Sequence, residues 1–341
     1  HWRSWYGHSP EEPAVTVATE DRIHIEPVAA REDVATEQQR LLAALAEDPP
    51  RIPSFYHYDA VGSALFTEIT RQPEYYLTRS ELALLQRHAP DIAAATRASV
   101  LVELGPGDAT KTRLLLDALN DRETLVTYAP FDVDHGLLER VARELANEYP
   151  ELRIHALAGN FLHGLAALPD GERRLVAFLG STIGNLQPAA TVEFVRGLRR
   201  QLDAADHFLL GVDLIKDVRR LEAAYNDAAG VTPRFSRNIL AALNRRFGFD
   251  FEPEAFAHRS VWSAAEHRIE TSLVARSPQR IRSEDLDFEL DLAAGDPIRT
   301  EISTKYDRPI VEAVLAEAGL ATVGWLTDPD GSFALALTRR S

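Results

Sequence analysis

Residues 99–108 read SVLVELGPGD, an apolar run that ends in Gly105-Pro106-Gly107. A short run rich in aliphatic residues, without polar alternation, fits a strand buried on both faces. Glycines directly after such a strand permit a tight turn and a close approach of backbone to a ligand. Residues 108–119, DATKTRLLLDAL, then carry helical spacing. The same alternation continues downstream. Residues 125–131 form a second strand stopped by Asp132-Val133-Asp134, and a helix runs on to about residue 147. Residues 154–158, 175–179 and 207–212 read as further strands, with GSTIGNL and a helix over 189–202 after the fourth. This pattern implies a doubly wound α/β fold with a parallel sheet covered on both faces.

The flanks read differently. Residues 34–48 suggest a helix ended by Pro49-Pro50. Thr78 with Glu81 three residues on has the form of a capping box opening another helix. From 217 to about 304 the alternation gives way to helical segments and then half-buried antiparallel strands. Residues 310–318 and the remaining tail read as helix, strand, turn and strand, returning to the sheet as an antiparallel edge pair. The expected organisation is a large α/β unit from 79–215 and 305–341, and a smaller α+β unit from 20–78 and 216–304. Residues 1–19 read as a tag or extension outside the fold.

Composition narrows the function. The 341 residues are 45% hydrophobic and 26% charged, which suits a globular chain with a sizeable core. Lys+Arg total 37 against 52 Asp+Glu, a net charge of −15, and such a surface repels polyphosphate at long range. No nucleic-acid or membrane partner is expected, and the expected form is a cytoplasmic monomer. Cysteine is absent, which removes thiolate chemistry and Cys-ligated metal, and methionine is absent too. The eleven histidines show no zinc-hydrolase pairing with a carboxylate, so no metal site is expected.

Several positions carry chemistry. Gly105 and Gly107 sit at a strand-to-helix turn suited to an anionic or nucleoside ligand, though without a third glycine for a dinucleotide fingerprint. Asp132, at the end of the second strand, suits a ribose hydroxyl pair or, alternatively, a helix cap. Together they indicate an adenosine cofactor and leave a nicotinamide dinucleotide and S-adenosylmethionine both open. Asn185, in FLGSTIGNL, offers a donor and an acceptor where open α/β sheets place reacting groups, or it caps the next helix. Glu301 and Ser303, in RTEISTKY, share one face if that stretch is a strand, and such a pair can hold an imidazole or ammonium N–H. An exposed strand face is the plain alternative. Tyr58, Tyr75, Tyr76 and Tyr225 could wall an amino-acid pocket or simply pack.

In order along the chain, YDAVGSALFTEIT, PEYYLTRSE, VELGPGDATKT, PFDVD, FLGSTIGNL, YNDAAGVTPRFSRN, DLAAGD and RTEISTKY resemble the histidine-specific Nα-methyltransferases of ergothioneine biosynthesis. The resemblance runs from about residue 51 onward. It implies a class I, Rossmann-like S-adenosylmethionine-dependent methyltransferase domain with a separate substrate-binding domain. The implied reaction is trimethylation of the L-histidine α-amine to hercynine, with S-adenosylhomocysteine as by-product. By matching positions, Gly105, Gly107, Lys111 and Gly180 would line the cofactor loop. Asp132 would hold the ribose, and Asn160 and Phe161 would flank the adenine. Tyr58 and Asn185 would surround the α-amine, and Asn185 and Tyr225 would hold the carboxylate. Tyr75, Glu301 and Ser303 would address the imidazole.

The chain departs from that pattern at three places. Asn160 stands where an acid is usual, Ser236 where asparagine is common, and Thr271 where the pocket wall often has methionine. The last bears on side-chain specificity. A relative that methylates another amino acid, such as tryptophan, is the neighbouring reading. A nicotinamide-dependent oxidoreductase is the alternative from another class.

Overall fold

The computed structural model describes residues 19–28 and 34–341. The stretch read as an extension, 1–19, lies outside the described residues apart from Thr19.

The strands, in chain order, are β1 (Ile23–Pro27), β2 (Val100–Leu104), β3 (Thr127–Asp132), β4 (Arg153–Ala158), β5 (Arg174–Phe178), β6 (His207–Asp213), β7 (Phe256–Ser263), β8 (Arg268–Ala275), β9 (Gln279–Ser283), β10 (Phe288–Leu292), β11 (Pro297–Thr304), β12 (Leu320–Thr327) and β13 (Phe333–Arg340). The helices are α1 (Val34–Leu45), α2 (Ala60–Ile69), α3 (Tyr76–Thr96), α4 (Thr112–Asn120), α5 (His135–Glu148), α6 (Phe161–Gly164), α7 (Pro188–Gln201), α8 (Val218–Ala224), α9 (Val231–Phe247) and α10 (Arg308–Glu317).

Eight strands form one sheet in the order β1-β4-β3-β2-β5-β6-β13-β12. β1 to β6 pair in parallel, and β13 runs antiparallel to both β6 and β12. Period-2 alternation sorts β2 between two cores. Leu101 packs with α3, α4 and α5, whereas Val100, Val102 and Leu104 pack with α7 and α10. The doubly wound expectation is met, and the antiparallel pair returns as read. The chain reverses direction across the sheet between β2 and β5. Open α/β sheets bind ligands in the crevice at that point.

A three-stranded antiparallel sheet, β11-β8-β7, and the β9–β10 hairpin make the second layer system. Its core joins Leu41 and Leu45 of α1 to Ile239, Leu240 and Leu243 of α9 and to Phe256, Leu273 and Ile298 of the strands. One segment departs from the sequence division: β1, read with the smaller unit, is the outer strand of the large sheet, in register with β4. Five residues that include His24 and Glu26 and follow no run of apolar positions gave too little signal. No helix among the described residues is long and apolar enough to cross a membrane.

Two local readings also shift. α3 opens at Tyr76 behind Tyr75, with no side-chain cap. The Glu81 carboxylate is drawn inward instead, as described below. α4 begins at Thr112 rather than near Asp108, because Gly105, Gly107 and Ala109 all take positive φ and spread the turn.

Candidate functional site

The carboxyl ends of β2, β3, β4, β5 and β6 carry Gly105, Asp132, Asn160, Gly180 and Asp213 to one edge of the sheet. Gly105 has φ +70° and its N–H donates to Phe131 O at 2.9 Å, which turns the chain sharply off β2. Gly107 has φ +58°, and a Cβ there would meet nothing within 4 Å. Phe161 closes the Gly105 side: a Cβ on Gly105 would lie 3.8 Å from its ring, which also meets Phe131 and Phe178 edge-on. This is an open backbone cradle with an aromatic wall.

Asp132 is not a helix cap. That role falls to Asp134, whose Oδ1 accepts from Leu137 N–H at 3.0 Å. Asp132 accepts from the backbone N–H groups of Asp134, at 3.1 Å, and Val133, and burial nonetheless pushes its carboxyl up to about 6. It is left with acceptor capacity for a ligand. Asn160 caps α6, its Oδ1 accepting from Leu162 N–H at 3.0 Å. That bond uses one of the two lone pairs of the amide oxygen, and the amide N–H groups remain as donors.

Glu81 is fully buried and organises the loop after β5. It accepts from Gly180 N–H at 2.8 and 2.9 Å and pairs with Lys111, which ties α3, α4 and that loop together. Lys111 therefore supports the loop rather than standing free. Asn185 ends the short helical turn Thr182–Asn185 and makes no side-chain hydrogen bond among the described residues. It is not the cap of α7, where Gln187 holds that position.

Facing this edge are the residues of the second layer. Tyr75 and Tyr225 meet edge-on, with ring centroids 6.5 Å apart. Tyr58 packs on Phe66 and Phe235, each at 5.8 Å. Burial pushes all three phenols well above their ordinary range, and nearby negative groups add to the effect. The charges of Glu301 and Asp132 both add to the rise at Tyr58. Each of the three is a neutral hydroxyl, not a phenolate base.

Glu301 and Ser303 lie two apart on β11, and neither sits on an exposed face. Ser303 is buried. Glu301 keeps some accessible surface yet has no hydrogen-bond or ion-pair partner among the described residues, and burial pushes its carboxyl up to about 7. Its register partner on β8 is Thr271, whose hydroxyl is engaged with Ser260 Oγ at 2.7 Å. Ser236 is buried, and its hydroxyl has no hydrogen-bond partner among the described residues.

Sequence reasoning missed Asp213 and Lys305, and it read Glu81 as half of a capping box. Lys305 is fully buried and donates to Tyr225 Oη and Ser303 Oγ, 2.8 Å each, and pairs with Asp213 Oδ2 at 2.8 Å. Its place two residues beyond Ser303 was the available signal. Among the described residues one group of metal-ligating side chains gathers, His24, Glu26 and His155 at the outer edge of the large sheet. A groove of about 820 Å3 reaches this region only through Asn160 and Asn185. The rest of its lining comes from residues 37–56, 162–166 and 186–201, that is, from α1, α6, α7 and the chain beside them.

Residues 37–340 match the family described as "Histidine-specific methyltransferase, SAM-dependent". The Histidine N-alpha-methyltransferase of Mycolicibacterium smegmatis is 49% identical over 298 residues, covering 87% of this chain and 93% of that protein. Its counterpart in Mycobacterium tuberculosis is 45% identical over the same shares. Ergothioneine biosynthesis protein 1 of Neurospora crassa is 28% identical over 322 residues, 89% of this chain and 35% of that one.

Proposed function

The chain belongs to the histidine-specific, S-adenosylmethionine-dependent methyltransferase family, and from that premise we propose that it methylates the α-amine of L-histidine three times, giving hercynine. This would be the entry step of ergothioneine synthesis. The observation that carries the reading is Glu301: a half-buried carboxylate with no partner among the described residues, on the same strand as Ser303 and close enough to Tyr58, Tyr75 and Tyr225 for its charge to raise each phenol. An unpaired buried carboxylate costs folding free energy and is retained where a ligand N–H completes it.

The residues at the sheet edge fit the cofactor. Gly105 and Gly107 leave room for a ligand against the backbone, Asp132 can accept from ribose hydroxyls, and Phe161 offers an apolar face to the adenine. Asn160 would meet the adenine as a donor. When bound, S-adenosylmethionine supplies an electrophilic methyl on a sulfonium. The protein's part is positioning. Displacement needs the amine lone pair aimed along one line, and holding both reactants so replaces an improbable encounter. In this reading Tyr58 and Asn185 accept from the amine N–H groups, and Tyr225 with Asn185 holds the carboxylate. No strong base is required of Tyr58, whose phenol stays protonated. Proton release goes to solvent or to the ionised carboxylates.

The two-unit arrangement follows the same logic, with β1 joined to the large unit: cofactor on one side, heterocycle on the other. The deciding experiment incubates the protein with L-histidine and S-adenosylmethionine and weighs the product. A gain of three methylene units supports the reading, whereas no gain with histidine and a gain with tryptophan would replace it.

A further inference from the structure

β1, the outer strand of the large sheet, carries His24 and Glu26 two positions apart, which puts both side chains on one face. Across the ladder, His155 of β4 is the register partner of His24 and joins them on that face. Ile23 and Ile154, one position earlier on each strand, turn to the opposite face and pack with the core over α5. The alternation that buries the isoleucines therefore gathers two imidazoles and a carboxylate on the other side. One ligating atom from each of the three lies within 4.8 Å of the other two. Glu26 and His155 are 129 positions apart, so no spacing in the sequence announces the group.

A hydrogen bond accounts for part of it. His155 Nε2 and Glu26 Oε2 are 2.8 Å apart. The exposed His24 ring lies 5.0 Å from that of His155, tilted by 54°, with no hydrogen-bond partner among the described residues. Two imidazole nitrogens and one carboxylate oxygen are the donor set that zinc takes in three-ligand sites, with water in the fourth position. Calcium and magnesium favour shells of oxygen alone, and these donors do not suit them. At bond lengths of about 2.0–2.1 Å, a tetrahedral ion needs its ligand atoms about 3.4 Å apart. The widest pair must therefore close by about 1.4 Å, which side-chain rotation at a solvent-accessible edge supplies.

We infer that His24, Glu26 and His155 form a binding site for a divalent transition metal of the zinc class, which clasps β1 to β4. The place of the site gives it a structural task. β1 has a neighbour on one side only, and a ladder of five residues holds it. An ion bound from both strands adds a cross-link there and resists fraying of the edge. Just beyond β1, Val28 N–H donates to Ala158 O at 2.9 Å, and a Cβ on Gly164 would stand 2.8 Å from Val28 Cγ1. The clasped strand thus runs on to the turn that carries Asn160 and Phe161. β3 separates β4 from β2 and its glycine cradle, and the inference does not depend on the histidine reading.

The test titrates the full chain with Co2+ and then with Zn2+. Cobalt reports geometry, because a tetrahedral ion absorbs strongly in the visible and an octahedral one only faintly. The parent should bind one Co2+ with strong bands that Zn2+ abolishes. With zinc bound, hydrogen exchange at the Ile23–Glu26 amides should slow by about tenfold or more. His24→Ala and His155→Phe should each weaken Zn2+ binding in calorimetry by at least about 10- to 100-fold, the loss that even an outer partner of a ligand brings. His24 is exposed, so its variant decides the matter if His155→Phe does not fold. Zinc bound equally by parent and variants would put the ion on other imidazoles and overturn the inference. The absence of saturable binding to the parent would overturn it too.

Discussion

A Cβ on Gly211 would stand 2.2 Å from Oε1 of Glu81, so the inner strand β6 accommodates that buried carboxylate only because position 211 has no side chain. The same carboxylate receives the Gly180 N–H and pairs with Lys111. Gly211→Ala must displace Glu81 or bend β6. Either route leaves buried polar groups incompletely paired. We expect a loss of about 2–4 kcal/mol in urea unfolding, with weaker S-adenosylhomocysteine binding by calorimetry. A variant as stable as the parent would show that Glu81 can settle elsewhere.

On the proposed reading, Glu301→Ala removes the acceptor for the imidazole N–H. KM for histidine should rise by about 5- to 150-fold, corresponding to about 1–3 kcal/mol, with a smaller effect on kcat. Steady-state kinetics over a wide histidine range measures both. An unchanged KM would assign the ring to other residues.

The same residue makes stability depend on pH. Its folded carboxyl titrates near 7, above the ordinary carboxylate range, because burial disfavours the charge. For a raised carboxyl, the unfolded chain releases its proton first, so stability drops as pH climbs from about 4.5 to about 7 and then levels off. Glu301→Gln abolishes that penalty. The variant and parent should unfold alike at pH 4, and the variant should be more stable by about 1–3 kcal/mol at pH 8. Denaturant unfolding across that range checks the sign. A parent that gains on the variant as pH rises would contradict it.

How much of this was legible in the sequence depended on burial. β2 to β6 are covered on both faces, so their apolar runs and the turns that stop them were plain. β1 was not, since a five-residue edge strand with polar side chains leaves no comparable run. Glu81 was misread because Thr-x-x-Glu has the form of a helix start. A tertiary partner 99 residues away, Gly180, claims the carboxylate instead. Lys305 lay in plain view within RTEISTKY, but a lysine on a strand ordinarily points to water. Only its proximity to Asp213, 92 positions earlier, makes burial tolerable. Tyr58, Tyr75, Tyr225, Glu301 and Ser303 were found as single positions, and the structure supplies their mutual arrangement.

Asp132→Ala should separate the two ligands. Without an acceptor for the ribose, S-adenosylhomocysteine affinity should fall by about 10- to 100-fold in calorimetry, while α2, α9 and β11 are untouched and the histidine KM at saturating donor stays within about threefold. With the carboxyl titrating near 6, parental cofactor affinity should also decline below that pH, and the variant's should not. A variant that binds as tightly as the parent would remove Asp132 from the cofactor's contacts.

β13 lies between β6 and β12, and its Phe333–Thr338 side chains are wholly buried. During synthesis, therefore, β6 waits more than a hundred residues for its antiparallel neighbour, exposing an apolar ladder edge able to recruit a foreign strand. Shortening the chain ahead of Phe333 would strip away an interior rib, not a fringe, and aggregation in place of a smaller working enzyme is the foreseeable outcome.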